Sequence, residues 1–143
     1  MRAADLGDVL AAEWALLRAQ LRVWTRPTGR LVRPPSPEDA VPRVGTPAAE
    51  LEPRVRRAAL ALDRSVRRGP LRPGCLVRSL ALADLLARRG VPDGCIRIGV
   101  RRDGGRLLDA HAWVELDGRV VGDDPRRVRG FTPLGTVVPA GRR

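Results

Sequence analysis

A chain of 143 residues is the size of one domain, long enough to enclose a modest core and too short for two comfortable ones. With 43% apolar residues but one Phe, no Tyr and three Trp, the core must rest on Leu, Val and Ala, and little is left for stacking on nucleic-acid bases. All 27 basic residues are Arg, set against 16 acids for a formal charge of +11. They are scattered over nearly every segment, so they read as a solvated basic surface open to an acidic peptide or protein, not as a nucleic-acid site.

The first predicted element is a helix over 5–24, in which Leu10, Trp14, Leu17, Leu21 and Trp24 step by four and three residues along one stripe. The stripe is expected to pack on the domain; its two Trp also allow it to dock a partner protein. Acids at Asp5, Asp8 and Glu13 sit where a signal peptide would be apolar, and no run reaches the ~18 apolar residues of a membrane span. The expected location is cytoplasmic, where the two cysteines stay reduced and form no disulfide.

Between Thr25 and Pro53 the prolines at 27, 34, 35, 37, 42, 47 and 53 exclude a continuous helix or a central strand, so this stretch reads as an extended, partly ordered connection. Residues 1–52 are therefore expected to form an amphipathic helix plus connection, and 53–143 the core. A second helix follows, with Val55, Ala58, Ala59, Leu62 and Val66 on its apolar face and Gly69-Pro70 as its stop. The third runs from Cys75 to about Gly90. Leu76, Leu80, Ala83 and Leu86 or Ala87 line its buried side, and Asp84 and Arg88 form an i,i+4 pair on the wet side.

The period then changes from 3.6 to 2. In "CIRIGVRR", Ile96, Ile98 and Val100 alternate with Arg97, Gly99 and Arg101; "DGG" turns the chain into "LLDAHAWVEL", and Asp117-Gly118 turns it again into "RVVGDD". Three helices followed by three antiparallel strands give an α+β domain. Beyond Pro125 the basic, Gly- and Pro-punctuated tail offers at most a short strand around Thr136–Val138.

Cys75 follows Pro73-Gly74 and opens a helix. A thiol there meets unpaired N–H groups and the positive end of the dipole, which favour a thiolate nucleophile. Cys95, heading a strand, reads instead as a small apolar residue. His111 is the only imidazole in the chain, so any Cys-His chemistry must use it. With no Asn, and the single Gln20 far away in the first helix, the group that orients the imidazole must be a carboxylate: Asp109, Glu115, Asp117, Asp123 or Asp124.

Strand register chooses among them. A three-residue loop at Leu116-Asp117-Gly118 puts Glu115 opposite Arg119, Trp113 opposite Val121 and His111 opposite Asp123, with Cβ atoms about 5 Å apart. A two-residue Asp-Gly turn instead puts Asp124 opposite His111 and Glu115 opposite Val120. The Glu115–Arg119 pairing favours the first register, and hence Asp123. The backbone N–H of Cys75 would supply part of an oxyanion hole; its second donor is not visible in the sequence. Two rivals use the same region. Zinc on Cys75, Cys95, His111 and an Asp lacks any close CxxC or HxxxH pair, and among the serines Ser79 lies one turn inside the helix while Ser36 and Ser65 carry no signal.

"CLVRSLALADLLARRG" followed by "IRIGVRRDGGRLLDAHAWVELDGRVVGD" resembles the transglutaminase-like cysteine peptidases of lasso-peptide biosynthesis, which remove the leader from a ribosomally made precursor. The likeness runs from about Pro53 to Asp124, and more loosely over the N-terminal helix and connection. It implies a papain- or transglutaminase-like fold with N-terminal helices before a small antiparallel sheet. It also implies Cys75 as nucleophile, His111 as base and acid, and Asp123 as orienter. Some relatives carry a fused N-terminal leader-recognition domain; the ~50 residues before the likeness do not read as one. The resemblance thus implies three partners: a precursor peptide, a separate leader-binding protein and an ATP-dependent cyclase that closes the macrolactam. This chain has no GxxxxGK[ST] phosphate loop, and no cofactor or metal is expected in it. The same triad could transfer an acyl group to an amine, as transglutaminases do, or the chain could be a basic adaptor without activity.

Overall fold

The computed structural model describes residues 3–26, 32–33, 48–91 and 94–137. Among the described residues, four helices and five strands follow the order α1 (Ala3–Thr25), β1 (Val32–Arg33), α2 (Ala48–Arg68), α3 (Cys75–Arg88), β2 (Cys95–Asp103), β3 (Arg106–Leu116), β4 (Arg119–Val121), α4 (Pro125–Val128) and β5 (Thr132–Val137). The strands form one antiparallel sheet in the order β1-β5-β2-β3-β4. The α+β architecture, helices followed by a small antiparallel sheet, is the one expected.

α1 covers the expected span but turns a different side to the core. The stripe expected to pack is exposed: Leu10, Leu17 and Leu21 are uncovered and Trp24 is 74% exposed, with Trp14 close behind at 59%. The buried side carries Ala12, Ala15, Leu16 and Ala19. The helix has two apolar stripes, and the small one wins because alanines admit the close approach of α2 and α3. Polar anchors on the same side fix the rotation. Asp8 pairs with Arg57 of α2 and, at 2.7 Å, with Arg89 after α3, while Arg18 reaches Asp84 of α3 at 2.8 Å. Beside Asp8, whose carboxylate accepts its hydrogen bond, the exposed Arg57 guanidinium has its pKa raised above the ordinary value.

Prolines 27, 34, 35, 37, 42 and 47 of the expected connection lie outside the described residues. Pro53 does not mark the helix start: α2 begins at Ala48 and carries Pro53 in its second turn, where one backbone hydrogen bond is forgone. The division expected at residue 52 thus falls within a helix. Ala58, Ala61 and Leu62 of α2 meet Ala12 and Leu16 of α1, Leu82, Leu85 and Leu86 of α3, and Ile96, Val114 and Val137 of the sheet in one core.

The tail also departs from expectation. The one short strand allowed around Thr136–Val138 is the six-residue β5, a further strand β1 is present, and β5 lies inside the sheet between β1 and β2, with Val137 fully buried. Pro133 sits where the β2–β5 register shifts, the position at which a sheet tolerates a missing donor. This interruption, and the distance in sequence to its partner, hide the strand's full length and interior place from periodicity.

The β3–β4 register is corrected as well. Asp117 and Gly118 both adopt positive φ, 50° and 75°, the two-residue turn whose twist matches a hairpin. Leu116 therefore faces Arg119, Glu115 faces Val120 and Val114 faces Val121, not the three-residue-loop pairing. The charge argument fails because Glu115 finds its cation on the other side, in Arg97 of β2, at 3.1 Å. Among the described residues no helix is long and apolar enough to cross a membrane.

Candidate active site

The chain presents Cys75 as the first residue of α3 because Pro73-Gly74 cannot extend a helix backwards, while the Leu- and Ala-rich run after it buries a full face. Gly74 is the extended N-cap, no side chain caps the first turn, and no acid stands in it. The first-turn N–H groups are thus unclaimed by any side chain, next to a half-buried thiol.

His111 stands on β3 and is buried. Its Nε2 lies 2.5 Å from Asp123 Oδ2. An ionised carboxylate only accepts, so Nε2 carries the hydrogen, and in the neutral ring Nδ1 is then the nitrogen with the lone pair. The ring packs in a triangle with the Trp113 ring, stacked at 6.1 Å, and the Phe131 ring at 5.3 Å, which are themselves 6.4 Å apart. These two aromatics and Val128 make a second small cluster on the sheet face away from α1–α3. Gly99 makes room for it, since a Cβ there would meet the Trp113 ring at 2.7 Å.

Asp123 reaches His111 by a route different from strand pairing. In the observed register a longer β4 would bring Asp124 opposite His111, but β4 ends at Val121 and Gly122 turns the chain with φ of 71°. The turn swings Asp123 beneath the imidazole, where its second oxygen accepts from the Asp124 N–H at 2.8 Å. Asp124 itself caps α4, accepting from the Arg126 N–H at 2.9 Å.

Each remaining carboxylate has another place: Asp109 faces Arg101, Glu115 accepts from Arg97 and from Trp113 Nε1, and Asp117 forms the turn. Because β4 pairs only with Val114–Leu116, the outer edge of β3 is open at His111. There a cavity of about 160 Å³ is lined by Cys75, His111 and Asp123 together. No hydrogen bond joins the thiol to the imidazole; both border the same space.

Ser79 is buried and lines the cavity too, one turn beyond Cys75. Neither cysteine is in a disulfide, and Cys95 opens β2 opposite Glu115, outside the cavity lining. Among the described residues no three of His, Cys, Asp and Glu are grouped as metal ligands. Sequence reasoning missed Phe131, Gly122, Arg78 and Arg127 at the site. Of these only Gly122, in "VVGDD", carried a local signal, since a glycine inside a strand pattern marks a bend.

The family model described as the transglutaminase-like superfamily matches residues 9–136. The chain belongs to this superfamily. The matched span takes in most of α1 and nearly all of β5, so it is wider than the 53–124 stretch that carries the likeness in the sequence. No curated protein and no solved structure matches the chain. Transglutaminase-like proteins generally have cysteine-dependent enzymatic activity, as peptidases or acyltransferases.

Proposed function

We propose that this transglutaminase-like protein is a cytoplasmic cysteine endopeptidase that cuts the leader from a lasso-peptide precursor, using Cys75, His111 and Asp123. The observation that carries the chemistry is the 2.5 Å contact between His111 and Asp123 beside a cavity that also holds a helix-start thiol. The leader specificity rests on the resemblance of the Cys75 and AHAWVE segments.

In the first step His111 Nδ1 takes the thiol proton, and the thiolate attacks the carbonyl carbon of the scissile peptide bond. The Cys75 backbone N–H donates to the oxyanion that forms. The imidazolium, stabilised by Asp123, then gives its proton to the leaving amine, and a thioester remains on Cys75. Water, deprotonated by the same nitrogen, hydrolyses the thioester. Contacts between nucleophile and base tighten when substrate closes over them, so the lack of a direct Cys75–His111 hydrogen bond is compatible with this sequence.

Incubation of precursor with its leader-binding protein and this chain, read by mass spectrometry, tests the reading. Hydrolysis gives two free peptides, and Cys75→Ala abolishes them; cleavage retained by that variant overturns the nucleophile. Cys95→Ala keeps its activity. An isopeptide product in place of free peptides assigns the superfamily's other chemistry, acyl transfer to an amine.

A further inference from the structure

The cavity around Cys75 and His111 is also bordered by Arg78 and Arg127. They come from different elements: Arg78 lies one turn into α3, three residues after the thiol, and Arg127 lies on α4. Elsewhere in the fold guanidiniums near the core meet carboxylates, as Arg18 does Asp84, Arg89 does Asp8 and Arg97 does Glu115. The guanidiniums of Arg78 and Arg127 make no hydrogen bond or ion pair with any described residue. The one carboxylate in the cavity, Asp123, is engaged by His111 and by the Asp124 N–H. Arg78 is half-buried and Arg127 exposed at the rim of this cavity; neither has an internal counter-ion, and a planar guanidinium fork matches a carboxylate oxygen for oxygen.

We propose that Arg78 and Arg127 form a carboxylate-binding subsite beside the nucleophile, which selects a peptide with an acidic side chain flanking the bond that is cut. The proposal rests on the reading of Cys75 as the nucleophile and adds to it the class of side chain recognised. The subsite docks the acidic side chain while the neighbouring carbonyl is presented to the thiol. Neither arginine takes part in proton transfer; both are specificity residues.

Alkylation of the full chain by iodoacetate and by iodoacetamide, two reagents of the same reactive group with and without a carboxylate, tests it without any peptide substrate. Rates at Cys75 and Cys95 are read separately by peptide mass mapping. The iodoacetate-to-iodoacetamide rate ratio is expected to be on the order of tenfold higher at Cys75 than at Cys95, the scale of a charge-assisted hydrogen bond. In Arg78→Gln/Arg127→Gln it falls to the Cys95 value. Equal ratios at the two thiols, or a Cys75 ratio unchanged in the double variant, overturn the subsite. Should that variant fail to fold, acetate provides the second measurement on the unaltered chain. It slows iodoacetamide at Cys75 and not at Cys95, and no such protection overturns the proposal. Preserved charge selectivity with an uncleaved precursor would sink the peptidase reading alone, so the two failures are distinct.

Discussion

The carboxylates at 123 and 124 are adjacent, chemically identical and near the same imidazole, and backbone conformation separates them. Gly122 in the left-handed region turns Asp123 under His111, and its neighbour is spent on capping α4. Asp123→Asn keeps the shape but leaves the imidazole without an anionic partner and free to take the other tautomer. Precursor cleavage should fall by roughly three to four orders of magnitude, measured as kcat/KM. Asp124→Asn, still a good cap, should leave kcat/KM within about twofold. The sequence named the carboxylate that lies against His111, but through an incorrect register. Asp123 would face His111 in a three-residue loop, and it reaches His111 in the real hairpin only because the strand stops two residues earlier.

Helix and strand positions follow closely from pattern, since 3.6- and 2-residue periods are local properties of the chain. Which face of an element is buried is a different matter, and α1 shows it. A stripe of Leu and Trp and a stripe of Ala both run along the helix, and the larger apolar side chains favour burial of the former. Packing distance and the Asp8 and Arg18 pairs favour the latter. The uncovered stripe carries Arg18 over the Trp14 ring at 6.0 Å and leaves its Leu and Trp side chains exposed. In the proposed reading the leader-binding protein covers it. Trp14→Ala/Trp24→Ala should leave the thermal midpoint within about 2 °C, because these side chains bury little. The same variant should weaken capture of the leader-binding protein at least about tenfold by calorimetry. A large loss of thermal stability with binding unchanged would return the tryptophans to the core.

For the molecule as a whole, the sheet is completed by the last described segment. β5 inserts between β1 and β2, and its Val137 joins a core built from α1, α2, α3 and β3. β5 is thus an interior part of the sheet. Val137→Ala should lower the unfolding free energy by about 2 kcal/mol, two buried methyl groups, measured by urea titration. A change below ~0.5 kcal/mol would mean a peripheral tail. The second cluster of Trp113, Val128 and Phe131 adds a cover on the far face of the sheet, and its two rings pack against the imidazole.

By itself the sequence determined the α+β class, the start of α3 at Cys75, the strand that carries His111 and the turn at Asp117-Gly118, because each is written in a few consecutive residues. The tertiary structure alone decided which stripe of α1 is buried, the register of β4, the interior place of β5 and the placing of Arg78 and Arg127 at one cavity. Apart from the hairpin register, which the backbone of one two-residue turn sets, those outcomes are differences in packing and charge placement between segments far apart along the chain, which no local period encodes.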